Sequence, residues 1–159
     1  LMAGADGRLP NDRTHQIKAY GFLELSKEWG VGANLLLASG RPRSCIGSAP
    51  SNPNHSPDYA NQTFYCLGTV RSANTLHQRG TIGNLPTDSR LDLNVSYKPE
   101  FFKGFQLRAD IFNVFDAQVV QNVEERYNNG TRVRNTYETP LSLTAPRSVK
   151  LSAQYDYKF

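Results

Sequence analysis

The sequence predicts an all-β fold: an antiparallel, up-and-down segment of a transmembrane β-barrel, contributing about five long strands to a larger barrel. Three observations carry that expectation. In residues 147–159, Val149, Leu151, Ala153, Tyr155, Tyr157 and Phe159 share one parity, and Ser148, Lys150, Ser152, Gln154, Asp156 and Lys158 the other. A strand's two-residue period therefore gathers every apolar side chain on one face. No run approaches the roughly 18 consecutive apolar residues of a membrane helix, so any crossing of a bilayer has to be made by strands. The connections between alternating segments run short, long, short, long along the chain. A meander across a membrane, with tight turns on one side and long loops on the other, produces that pattern.

Composition agrees. The 159 residues suffice for one domain, and residues 1–159 are expected to form a single barrel segment. A hydrophobic content of 38% with mean hydropathy −0.54 is low for a compact soluble domain. It is ordinary for strands that give every second residue to a wet lumen. Net charge is +4 and pI about 9.2, with Lys and Arg dispersed along the chain, which argues against a nucleic-acid partner. Cys45 and Cys66 lie in one Gly/Pro/Ser/Asn-rich segment and read as a disulfide formed in an oxidising compartment, with two free thiols as the alternative. Such a bridge closes a loop of about 20 residues and removes roughly 3 kcal/mol of unfolded-state entropy on the chain-closure model. Leu1-Met-Ala-Gly-Ala-Asp-Gly-Arg8 lacks the basic and apolar regions of a signal peptide, so the expectation is a mature form or a fragment of an exported protein.

In chain order, a polar turn over residues 9–14 feeds a first strand over 15–27, where Ile17, Ala19, Gly21, Leu23 and Leu25 share a parity. Tyr20 and Phe22 fall on the polar side of it. Lys27-Glu28-Trp29-Gly30 reads as a tight reversal into a second strand over 31–39, with Trp29 suited to an interfacial girdle or, equally, to capping a soluble core. Residues 40–88 lose periodicity and carry Pro42, Pro50, Pro53, Pro57 and Pro86, the signature of a long loop. Tyr59, Phe64 and Tyr65 within it are expected to fold the loop on itself rather than meet a ligand. A third strand over 90–98 alternates Leu91, Leu93, Val95 and Tyr97 against Asp92, Asn94, Ser96 and Lys98. A short turn, Pro99-Glu-Phe-Phe-Lys-Gly104, leads to a fourth over 105–115. Alternation breaks at Phe112-Asn-Val-Phe-Asp116, a strand end with room for a bulge. The second long loop, 117–146, contains Asn129-Gly130, which predicts a small hairpin over 119–137. Strands of about 11 residues at about 3.3 Å each, tilted near 40°, span roughly 28 Å of membrane thickness.

Leu9-Pro-Asn-Asp-Arg-Thr-His-Gln-Ile-Lys18, Gly32-Ala-Asn-Leu-Leu-Leu-Ala-Ser-Gly-Arg-Pro42, Leu91-Asp-Leu-Asn-Val-Ser-Tyr97 and Arg108-Ala-Asp-Ile-Phe-Asn-Val-Phe-Asp116 resemble the C-terminal barrel of TonB-dependent outer-membrane receptors. Ala145-Pro-Arg-Ser-Val-Lys150 is similar to the Oar-like branch. The resemblance runs over nearly the full chain, and the order and spacing of the motifs carry it. It implies a 22-stranded barrel with an N-terminal plug, placed in the bacterial outer membrane and importing a scarce, unidentified ligand with energy from the TonB system. The partners so implied are outer-membrane lipid, the remaining barrel and plug, and the TonB system acting through the plug. The family's last strand also resembles the recognition signal of the barrel-assembly machinery, and Tyr155, Tyr157 and Phe159 occupy the matching positions. This chain shows neither plug nor TonB box, and about five strands cannot close a barrel whose smallest known type has about eight. A tail of a longer polypeptide is the expected reading, with several copies closing one barrel as the alternative.

The residues do not assemble an enzyme. His15, His55 and His77 are far apart and lack metal-ligand spacing, Ser39, Ser44 and Ser48 lack a nucleophile elbow, and no cofactor loop is present. Asp58, Asp88, Glu124 and Glu125 read as solvated loop carboxylates. Asn54-His-Ser56, Asn61-Gln-Thr63 and Asn129-Gly-Thr131 match the glycosylation sequon at the frequency chance gives in so Asn-rich a chain. Arg108 and Asp110 share the inward parity and are expected to join a structural charge network. The competing class is a secreted β-sandwich binding carbohydrate or protein, which requires the apolar face to lie under a second sheet. A trimeric, adhesin-like barrel to which each copy lends a few strands is a third reading.

Overall fold

A computed structural model describes residues 3–52, 60–130 and 132–157. Five long strands form one antiparallel up-and-down sheet: β1 (Gln16–Glu24), β2 (Trp29–Ala38), β5 (Asp88–Tyr97), β6 (Phe105–Phe112) and β11 (Ser148–Tyr155), in that spatial order. Between them come three short ribbons. These are β3 (Tyr65–Cys66) with β4 (Thr75–Leu76), β7 (Val120–Val123) with β10 (Pro140–Leu143), and β8 (Asn128–Asn129) with β9 (Arg132–Val133). The architecture is the expected antiparallel segment of barrel wall, and no helix among the described residues is long and apolar enough to cross a membrane. Packing divides the chain into two compact units. The sheet unit is His15–Ala38, Thr87–Gln118 and Thr144–Phe159; the loop unit is Leu1–Thr14, Ser39–Pro86 and Val119–Leu143.

Register makes the alternation of single strands into two continuous faces. Gly21, Ala33, Leu93, Ile111 and Val149 lie side by side across all five strands, as do Leu23, Val31, Val95, Ala109 and Leu151. A third apolar row is Trp29, Tyr97, Leu107 and Ala153. The opposite face carries Asn94, Asp110 and Lys150 in one row and Glu24, Ser96, Arg108 and Ser152 in the next. Among the described residues nothing covers the apolar face: Leu151 is 79% exposed and Tyr155 52%. Phe22, which the periodicity puts among polar neighbours, has a local reason to be there. Its ring lies against the position a Cβ would take on Gly30, shielding bare backbone that Gly30 leaves open on β2. Diagonal cross-strand contacts of this sort contribute roughly 0.2–1 kcal/mol.

The short turns are tied together as well as being short. Ser26 Oγ accepts from the backbone N–H groups of Glu28 and Trp29 at 3.2 and 3.1 Å. Glu28 then accepts from two residues of the other short turn, its carbonyl from the Lys98 N–H at 2.7 Å and its carboxylate from the Glu100 N–H at 2.8 Å. Trp29 is therefore the first residue of β2, paired with Tyr97, rather than part of the reversal.

Strand ends differ from the expectations where side-chain hydrogen bonds take over from the ladder. The fourth long strand stops at Phe112, not at Phe115, because Asn113 turns into the left-handed region with φ 52°. Buried to 3% exposure, its amide donates to the carbonyls of Ala117 and Ala145 at 3.1 and 2.8 Å and accepts from the Ala117 N–H at 3.2 Å. Asp116, also at φ 52°, accepts from the Arg147 N–H at 2.8 Å and so leads the chain into β11. β11 is assigned over Ser148–Tyr155, shorter than residues 147–159, and Phe159 lies outside the described residues. In the second long loop the Asn129-Gly130 hairpin forms, with Gly130 at φ 72°, but its longer arms are β7 and β10, extending past Tyr137 to Leu143. Replacing Asn113 by Ala removes three buried hydrogen bonds at a left-handed position. Unfolding by urea is expected to show a loss of about 2–3 kcal/mol.

Candidate functional site

The segments without periodicity are not loose. Cys45 and Cys66 are joined in a disulfide, at 1% and 0% exposure. Beside them Gly47 and Thr63 exchange a pair of backbone hydrogen bonds at 2.8 Å, and Ala49 N–H reaches Ala60 O at 2.7 Å. The centre of the unit is polar. Ser48, fully buried, donates its backbone N–H to Asn128 Oδ1 at 2.8 Å and its hydroxyl to Asn61 Oδ1 at 2.7 Å. Its Oγ accepts from the Gly130 N–H at 2.9 Å, and its carbonyl from Asn74 Nδ2 at 2.8 Å. All four hydrogen-bonding groups of one serine are thus engaged, which offsets the cost of burying them. That hydroxyl both donates and accepts within the loop unit, and Ser44 Oγ likewise accepts from the Gly80 N–H at 3.0 Å.

Arg41 and Glu125 make a second tie between the two long loops. Arg41, 8% exposed, donates to Glu125 Oε1 at 2.7 Å, to Gln121 O at 3.0 Å and to Pro42 O at 3.1 Å. The guanidinium fork satisfies the half-buried carboxylate and the chain beside it, the arrangement that lets an ion pair survive desolvation. Gly40 precedes it because a Cβ there would collide with the Leu85 carbonyl. Tyr127 and Tyr137 meet edge to face at 5.1 Å, with the Tyr127 hydroxyl donating to Gly68 O at 3.2 Å. Burial, then the neighbouring Glu138, pushes the Tyr137 phenol above its ordinary value.

Three expectations for the carboxylates are corrected here. Asp88 is 6% exposed in β5 and lies within 3.3 Å of Arg90, and Glu125 is paired as above, so neither is a solvated loop charge. Glu124 is also engaged: Arg126 grips it with Nε at 3.0 Å and Nη2 at 2.9 Å, and the Arg126 N–H adds a third bond at 3.0 Å. Sequence reading missed two of these partners because Arg41 is far along the chain from Glu125 and Arg126 lies in a run with no period; Arg90 is only two residues from Asp88, which reads as the end of the loop before the strand. Tyr59, His55 and Asp58 lie outside the described residues. Tyr65 pairs with Leu76 within the loop unit, and Phe64 packs on Gly4 there. His77 Nε2 is 2.9 Å from Thr75 Oγ1, and among the described residues no three His, Cys, Asp or Glu gather as a metal-binding group.

On the polar face of the sheet, Arg108 Nε donates to Asp110 Oδ1 at 2.8 Å, and the register puts Asp110 between Asn94 and Lys150. The two charges pair first with each other along one strand. At the short-turn end of the sheet the aromatic residues collect: Trp29 with Tyr97 at 4.5 Å, Phe102 with Phe105 at 5.1 Å and with Tyr155 at 5.3 Å, and Tyr155 with Tyr157 at 6.4 Å. Tyr155 and Tyr157 thus sit in one ring cluster. What the arrangement offers chemically is a wall with an apolar and a polar face, and a cross-linked loop unit able to present a fixed surface.

No protein-family model matches the chain, and no solved structure matches it. Among curated proteins it is 25% identical over 199 aligned residues to the TonB-dependent transporter Oar of Myxococcus xanthus, an alignment that takes in 99% of this chain and 17% of that protein. The relationship is distant, and the chain spans 17% of the length of the relative it matches.

The Arg126 side chain, followed by its backbone N–H, holds the Glu124 carboxyl at about 2, down from 4.5. A depressed carboxyl contributes stability above its ordinary value and loses it as pH falls through the folded one, so the contribution is lost between about 4.5 and about 2. Arg126→Gln is expected to raise the Glu124 carboxyl from about 2 part of the way toward 4.5, the backbone N–H of residue 126 still holding it down, read by carbon NMR titration of its carboxyl; an unchanged titration contradicts the assignment of cause.

Proposed function

We propose that this chain is the C-terminal part of the β-barrel of a TonB-dependent outer-membrane transporter of the Oar-like branch, serving energy-coupled ligand transport with no catalytic site and no cofactor of its own. The observation that carries this reading is the continuous apolar face, left uncovered by the described residues across five strands whose reverse side, apart from Tyr20, Phe22, Leu36 and Phe112, is polar and charged. In water such a face is untenable without a covering layer; against hydrocarbon it is the required surface. The distant relationship to the Myxococcus xanthus transporter supports the same reading. Under it, the apolar rows meet outer-membrane lipid, and the Arg108 and Asp110 face meets a lumen shared with the plug. The aromatic cluster lies at the periplasmic interface, and the long connections lie on the cell surface, where the ligand arrives. The β-sandwich alternative needs a second sheet over Leu151 and Tyr155, and none lies there among the described residues.

The intact protein is expected to fractionate with the outer membrane and to migrate faster on gels when unheated than when boiled. Recovery as a soluble monomer without detergent would overturn the reading. Tyr155, Tyr157 and Phe159 are the residues assigned to recognition by the barrel-assembly machinery. Deleting Phe159 should lower the amount of heat-modifiable barrel in the outer membrane while leaving the thermal stability of what does assemble unchanged. Wild-type assembly after the deletion would remove that role.

A further inference from the structure

Arginine is distributed unevenly along the chain. The loop unit contains no lysine, so its Lys and Arg positions are all arginine, whereas every lysine falls in the sheet unit. A guanidinium differs from an ammonium in its planar fork of donors, which matches a carboxylate or phosphate, and in being more weakly hydrated. Around the ribbons of the second long loop most of these forks are engaged. Arg41 pairs with Glu125 at 2.7 Å, Arg43 with Glu138 at 2.7 Å and Arg126 with Glu124 at 2.9 Å. Those pairs use every carboxylate of residues 119–143. Arg132 and Arg134 are left over, and neither makes a salt bridge among the described residues.

The two leftover cations stand together. Arg132 pairs with Asn129 in the β8 and β9 ribbon, and the Arg134 N–H extends that ladder by donating to Tyr127 O at 2.8 Å. Alternation then puts Arg132 and Arg134 on one face of the ribbon, about 6.6 Å apart along the strand. Tyr127 lies across from Arg134, edge to face with Tyr137, whose N–H closes the next turn onto Arg134 O at 3.2 Å. Arg132 is exposed. Arg134 is half-buried, and its Nε is shut off from solvent with no hydrogen-bond partner among the described residues. Glu124 does not supply the missing charge: its carboxyl is lowered first by Arg126 and last by Arg134, and Arg126 holds both of its oxygens. An unpaired guanidinium taken partly out of water costs free energy that an opposing anion recovers. We propose that Arg132 and Arg134 bind one oxyanion, a carboxylate or phosphate group of a small acidic ligand, with Arg134 supplying the fork and Arg132 the second charge. The site lies wholly within the loop unit, so the binding does not depend on what the sheet faces. That the anion belongs to a transported ligand rests on the transporter reading above.

The test is isothermal titration calorimetry of the intact protein at low ionic strength, with inorganic phosphate and with succinate. At least one of the two is expected to fill a single site with a Kd below about 1 mM, and the tighter one tells a phosphate ligand from a carboxylate. Arg134→Gln should weaken that binding about tenfold and Arg132→Gln, at an exposed position, about threefold. Arg134→Lys keeps the charge but loses the fork, and should weaken it about fivefold. Failure of both anions to saturate a site, or wild-type affinity in the glutamine variants, overturns the proposal. Full affinity in Arg134→Lys overturns it too, because diffuse positive charge then accounts for the binding. If Arg134→Gln does not fold, Arg132→Gln decides alone. A protein that binds the anion yet never enters membranes defeats the transporter reading and leaves the site; a heat-modifiable barrel that binds neither anion defeats the site alone.

Discussion

Pairing register is the constraint on which the rest depends. Each of the five long strands alternates, but alternation alone gives five amphipathic ribbons with no common face. Only when Leu93 stands beside both Ala33 and Ile111 do the ribbons become one surface with two sides. A slip of one residue in β5 would carry Arg90, Asp92 and Asn94 to the apolar side. Against hydrocarbon, that costs about 2–4 kcal/mol for a basic side chain at mid-depth. The devices at the strand ends serve this register. The Ser26 and Glu28 hydrogen bonds hold the short turns, and Asn113 and Asp116 close β6 and lead the chain into β11.

What was legible in the sequence follows from which physical signals are periodic. The five strands, their order and the alternation of short and long connections could be read because a two-residue repeat survives in the string of letters. Their ends could not be placed well. Asn113 stops a strand by folding back on carbonyls four and thirty-two residues away, and such a partner has no signature in the sequence. Phe22 looked misplaced because its reason is a glycine on the neighbouring strand. The Lys-Glu-Trp-Gly run reads as a turn, whereas pairing with Tyr97 makes Trp29 strand.

The loop unit was legible in its cysteines, in the Asn129-Gly130 hairpin and in Phe64 and Tyr65 turning inward, but not in what fills it. Beside Pro42, Cys45, Cys66, Leu85 and Val123 its interior holds Arg41, Ser48, Asn74 and Asn128, residue types that any hydropathy reading assigns to the surface. Prolines, asparagines and glycines there looked like the absence of structure. In fact they supply turns and side-chain amides for a hydrogen-bonded core, with Gly40 placed where the Leu85 carbonyl leaves no room for a side chain. The two units thus rest on different physics. The sheet has little interior and takes its order from what lies on either side of it; the loop unit carries its order inside, in directed bonds and one covalent link.

Ser48 belongs to the first long loop, yet two of its four bonds go to Asn128 and Gly130 of the second. Segments that lie some eighty residues apart in the chain therefore share a single keystone. Grafting a foreign sequence into either one alone would strand donors and acceptors in the other, so diversification of this surface must proceed by paired exchange, with both loops inherited together.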